Sequence, residues 1–274
     1  MLNNNIMKIE QRNIILNSTM LFVIASILAM TLHEFGHFFA SILVHAQQLS
    51  IHHNYTSNSE EGLSSGSTLL IKSTGPLVSL IIGVLFHFIC SRQIKRNVLF
   101  LFETYMSLFG YIGFFGYLII APLTPGGDTG YVFYSLGFPI WVMIVLGVIG
   151  AIVLYFLINI LMKYFVEMGT KEIIENRENR GKFIRSLIFF PLVIGTVLTT
   201  LLNLPVQVII SLIAPICGSL TILSGYDNAS KKNYYLKNIN KEFEQFNKIN
   251  FLLFTFFVLT IVLNRLLVHG IYVN

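Results

Sequence analysis

Within a long apolar stretch of this sequence stands His33-Glu34-Phe35-Gly36-His37. On a helix, side chains four residues apart share a face, so both imidazoles can bind one divalent metal ion. The glutamate between them is placed to take a proton from a metal-activated water, the chemistry of a zinc peptidase. An ionisable group near the centre of a bilayer costs roughly 2.5–3.5 kcal/mol on insertion scales. Three such groups in one apolar stretch therefore point to function. Catalytic zinc usually has three protein ligands. The best third candidate is Asp128, in Thr124-Pro125-Gly126-Gly127-Asp128-Thr129-Gly130. The proline and glycines of that segment forbid a regular spanning helix. Taken alone, such an aspartate reads as a turn or helix-capping residue. Beside the histidine pair it reads as a ligand.

The elements that must position these groups follow from hydropathy. The chain has 274 residues, of which 54% are hydrophobic and only 11% charged, with mean hydropathy +0.72. Soluble domains are about 25% charged. This composition excludes an ordinary soluble enzyme, a disordered protein, a secreted disulfide scaffold and most nucleic-acid binders. Seven apolar segments are predicted as membrane-spanning helices, because lipid leaves backbone groups no other partners. They run from about Ile14 or Thr19 to Val44, then Gly75–Cys90, Val98–Ala121, Pro139–Tyr164, Phe183–Leu202, Pro205–Leu223 and Phe251–Val268. The fold class is all-α polytopic, with a short hairpin or irregular loop between the first two helices. Residues 1–166 carry the chemistry and residues 167–274 add C-terminal helices of unknown role. Cys90 and Cys217 lie in apolar runs and read as packing residues.

Seven spans put the termini on opposite sides. Sixteen of the eighteen basic residues then share one side, leaving only Lys72 and Arg265 on the other. By the positive-inside rule the N-terminus is cytoplasmic and the metal site faces the extracytoplasmic half of the cell membrane. The basic balance thus reflects contact with the lipid bilayer and needs no nucleic acid. From His37 to Ala46 is nine residues, or about 13 Å of helix, so the metal lies below the outer surface.

These motifs together resemble the site-2 protease family of intramembrane zinc metalloproteases. The resemblance rests on His33-Glu34-Phe35-Gly36-His37, on Thr74-Gly75-Pro76-Leu77-Val78-Ser79 opening the next span, and on the Pro/Gly-rich stretch with Asp128. It covers roughly residues 19–163. It implies that His33, His37 and Asp128 bind Zn2+ and that Glu34 is the general base. The substrate would be a membrane protein or membrane-associated peptide, with Gly75, Pro76 and Ser79 helping to position it. The family usually has Asn where this chain has Ser79. It also often has a Gly-Gly pair after the aspartate, where here Gly126-Gly127 precede Asp128. The loop Leu49–Leu70 is the place where an extended substrate would pair as an added strand. The alternative is a non-proteolytic transporter or regulatory metal-binding protein, since polar residues in spans also mark ion pathways.

Other polar groups have plainer readings. Glu103 starts the third span on the basic side, where it can pair with Lys95 or Arg96. His87 is expected to snorkel on that side, His45 to be interfacial, and His52 and His53 to face solvent in the outer loop.

Overall fold

The computed structural model describes residues 2–206, 210–231, 248 and 250–273. The chain folds as a bundle of long helices with one small sheet at an end. Helix α1 (Leu2–Leu43) leads to a hairpin of β1 (Leu49–Ile51) and β2 (Thr56–Ser57). Then come α2 (Ser65–Arg92), α3 (Val98–Ile120), the short α4 (Asp128–Ser135) and α5 (Ile140–Val166). The C-terminal part adds α6 (Lys171–Glu175), α7 (Arg177–Ile184), α8 (Phe190–Leu202), α9 (Ile210–Lys231), α10 (Phe251–Leu266) and β3 (Ile271–Val273).

Six helical stretches among the described residues are long and apolar enough to cross a membrane: Glu10–Leu43, Ser65–Arg92, Val98–Leu123, Ile140–Val166, Arg177–Leu202 and Phe251–His269. The protein is all-α and polytopic. The span expected at Pro205–Leu223 falls partly outside the described residues, and its residues 210–223 belong to α9. The second span starts ten residues earlier than hydropathy implies. Ser64 accepts a hydrogen bond from the Ser67 N–H and launches α2 through a polar first stretch that includes Lys72.

Cross-links fix the direction of each helix. Ser18 Oγ on α1 donates to the Leu187 carbonyl, 2.7 Å away, at the entry to α8. Asn17 Nδ2 donates to the Lys248 carbonyl at 2.8 Å, just before α10. Both α8 and α10 therefore run parallel to α1. Helix α9 returns to the basic end, where Arg180 donates to the carbonyls of Ser230 and Lys231. At that end Arg96 pairs with Glu167 at 2.7 Å and lies over the Phe100 ring. Glu103 is buried nearby, but its Oε2 has no hydrogen-bond partner. Lys232, Lys237 and Lys241 lie outside the described residues.

The other end is built around α1's exit. His45 adopts a left-handed φ of 55°. Its N–H bonds to Ile42 O, and Ala46 N–H bonds to Ser41 O. That is a Schellman termination with histidine where glycine is usual. The sheet has order β2-β1-β3, so the C-terminal strand pairs with the hairpin. Leu49 and Ile51 of β1 pack on Phe38 and Phe35 of α1.

The hairpin tip corrects one expectation. His52 and His53 are 6% and 2% exposed. His53 Nε2–H and Asn54 Nδ2–H both donate to Asn203 O, at the C-terminal end of α8. Arg265 donates to Leu202 O and Leu204 O there. Helix ends leave carbonyls without partners, and these side chains supply them. Burial, with Arg265 nearby, pushes the His53 imidazole below its ordinary value although Asn203 O favours its charged form.

Candidate metal centre

His33 and His37 project from one face of α1, and α2 packs directly against that face. Gly36 and Gly75 allow the approach. A Cβ on Gly36 would lie 3.0 Å from Thr74 O and from Val78 Cγ2. A Cβ on Gly75 would collide with His37 Nε2 and lie 2.8 Å from His33 Nε2. The missing methyl of Gly75 thus leaves a space bounded by both imidazole nitrogens.

Residues Ile71, Gly75 and Ser79 follow one another at four-residue intervals and share one face of α2. His37 Nδ1–H donates to Ile71 O at 2.7 Å. His33 Nδ1 is 3.0 Å from Ser79 Oγ. Occupation of Nδ1 leaves Nε2 of each ring turned toward the space beside Gly75. Metal-binding histidines are oriented in this way, by a second partner on the other nitrogen.

Asp128 arrives from the segment after α3. A 3-10 turn at Ala121–Leu123 and a tight bend carry the chain back toward α2. Gly127 N–H donates to Thr124 O at 3.0 Å. A Cβ on Gly130 would overlap Thr124 O, so the bend requires glycine there. Gly127 caps α4, and Asp128 is its first helical residue. Asp128 Oδ2 lies 3.2 Å from both His33 Nε2 and His37 Nε2, which are 3.1 Å from one another.

Zinc bonds of about 2.0–2.2 Å give a tetrahedral ligand–ligand edge of roughly 3.3 Å. The three atoms match that edge. His37 Nδ1 must donate to a carbonyl, so the neutral His37 ring turns a lone pair inward. A carboxylate oxygen and the second imidazole nitrogen face it. Either a metal ion or the Nε2 proton of His33 can join these three atoms. Among the described residues, this trio is the group of His, Cys, Asp and Glu side chains that can hold a metal.

Glu34 is 5% exposed. Its backbone carbonyl accepts from Thr56 Oγ1 of β2 at 3.0 Å, which ties the hairpin to the motif. Pro76 is buried inside α2 beside Gly75. Ser79 is engaged with His33.

Sequence reasoning singled out neither Tyr117 nor the Ile71 carbonyl. The Tyr117 ring stacks on His33 at 5.1 Å and 12°, and its hydroxyl is within reach of Asp128. A signal was present. Gly110 packs on Gly83 of α2 and Gly113 on Ser79. Tyr117 continues that stripe at helical spacing, so it must face the first two helices. Glu103 is fourteen residues from Tyr117 on α3, or roughly 21 Å, too far to join the ligands. His87 Nδ1 lies 2.9 Å from the Tyr111 hydroxyl.

Comparison with protein-family models, curated proteins and solved structures returns no match. The geometry of the site is therefore what bears on function.

Proposed function

We propose that the protein is an intramembrane zinc metalloendopeptidase that hydrolyses a peptide bond in a membrane-associated protein or peptide. The reading also rests on the resemblance to site-2 proteases. One observation carries it: His33 Nε2, His37 Nε2 and Asp128 Oδ2 converge at 3.1–3.2 Å. They do so in a space that a Gly75 side chain would fill.

His33, His37 and Asp128 would hold Zn2+. When bound, zinc lowers the pKa of water and polarises a scissile carbonyl. Glu34, on the same helix and buried beside His37, takes the proton of the attacking water and passes it to the leaving amine. Ile71 O and Ser79 Oγ hold the two rings in orientation. A helical substrate must unwind first, because its amides are bonded within the helix. β1 is paired on both sides, so an extended substrate would add to an outer strand. Of the two, β2 is the one bonded to Glu34. The clustering of basic residues at the opposite end of the bundle supports a cytoplasmic N-terminus and a metal site toward the outer half of the cell membrane.

The test is Glu34→Gln. The purified variant is expected to keep zinc by elemental analysis. Cells carrying it should lose membrane-protein fragments that the wild-type protein generates, as read by quantitative proteomics. A fragment pattern unchanged by Glu34→Gln, with the metal retained, would favour the transporter or regulatory alternative and end the peptidase reading.

A further inference from the structure

Beside the ligand cluster lies a cavity of about 240 Å³, lined by α1, α3, α8 and α9 and reaching α10. Its wall includes His33 and Tyr117, so it abuts a proposed metal ligand directly. The wall is mostly apolar, with Phe22, Ile27, Phe109 and Leu154 away from the hairpin, interrupted by the hydroxyls of Ser26, Ser219 and Thr221. The end toward the hairpin is polar, with Thr199, Asn203 and Asn264. Asn203 is the residue whose carbonyl receives His53 and Asn54, which places that end beside the sheet.

We propose that this cavity is a specificity pocket that takes a large aliphatic or aromatic side chain of the substrate peptide, next to the bond cleaved. The assignment rests on the peptidase reading and adds to it the class of residue recognised. A mostly apolar wall that begins at His33 suits the side chain of a residue whose backbone lies at the metal site. Left empty, the cavity would deprive its lining of contacts. A charged side chain there would lose its hydration with no counter-charge among the residues that line it.

Gly116 makes the assignment testable. It lines the cavity, and a Cβ built on it meets no atom within 4 Å. A larger side chain here starts from open space on the cavity wall, and leucine is a better helix former than glycine. Gly116→Ala serves as the control.

The probes are glycine, alanine, leucine and phenylalanine hydroxamates, titrated against full-length, zinc-loaded protein in detergent by calorimetry. A hydroxamate head is held by the metal, so the series reads the side chain alone and needs no turnover. Leucine buries three carbons more than alanine, which at the usual increment is worth up to about 60-fold in affinity. The wild-type protein and Gly116→Ala are expected to favour leucine and phenylalanine over alanine by at least about tenfold. In Gly116→Leu, with zinc content and melting temperature unchanged, that preference should fall to about twofold or less. A flat series in the zinc-loaded wild type overturns the pocket and leaves the peptidase reading standing. So does a lipid that copurifies with the wild type and is absent from Gly116→Leu, because it assigns the cavity to an acyl chain. A wild-type protein that holds no zinc brings down the metal-site reading and this pocket with it.

Discussion

Replacing Gly75 with alanine sets two effects of opposite sign against one another. In a helix interior, alanine is normally favoured over glycine by about 0.5–1 kcal/mol. By local propensity alone, Gly75→Ala should strengthen α2. The added methyl, however, collides with His37 Nε2 and stands 2.8 Å from His33 Nε2. Ordinary contact needs roughly 3.4 Å or more, so the His33 ring must move by about 0.6 Å and the His37 ring further. Metal–ligand distances tolerate only about 0.2 Å. If α2 withdrew instead, the Ile71–His37 bond of 2.7 Å and the Ser79–His33 contact of 3.0 Å would stretch. Either response disables a ligand. Zinc binding of about 10–16 kcal/mol shared among four ligands gives roughly 2.5–4 kcal/mol each, so affinity should fall about 70- to 1000-fold. Chelator competition on purified protein measures the affinity, and thermal unfolding of the metal-free protein measures the fold. The expected pair of results is a large loss of zinc affinity with an unchanged or raised melting temperature of the metal-free protein. Wild-type affinity in Gly75→Ala would refute the placement of the ion beside this glycine.

Two further predictions concern orientation and pH. A cysteine at Ser64, introduced after replacing Cys90 and Cys217, should react with a membrane-impermeant maleimide added outside intact cells; labelling only after lysis would invert the orientation. The folded state depresses the His53 pKa by burial, so it binds fewer protons at this site than the unfolded chain. The stability that follows is complete above the ordinary imidazole value of about 6.5 and is lost as pH falls below it toward the folded value. The melting temperature should therefore drop between pH 7.5 and 5.5, less steeply in His53→Gln, and equal slopes would exclude His53 as the cause.

The histidine pair and Glu34 were legible because their relation is local: four residues on a helix fix a shared face whatever surrounds it. The apolar spans were legible for a similar reason, since a bilayer demands long runs of apolar residues and leaves that demand written in the chain. Asp128 was a weaker inference. A Pro/Gly bend announces a break in a helix, but not where its carboxylate goes. Only the fold decided that Asp128 Oδ2 reaches both imidazoles, and that Ile71 contributes a backbone carbonyl any residue type would offer. It also decided that the C-terminal strand closes on β1 and that His52 and His53 are buried. Each is a contact between segments far apart in the chain, and hydropathy and spacing carry no record of which partner a side chain meets. The sequence alone determined which residues could offer metal-binding chemistry and which apolar helices carry them; packing through Gly36, Gly75, Gly83 and Gly110 determined that the groups meet.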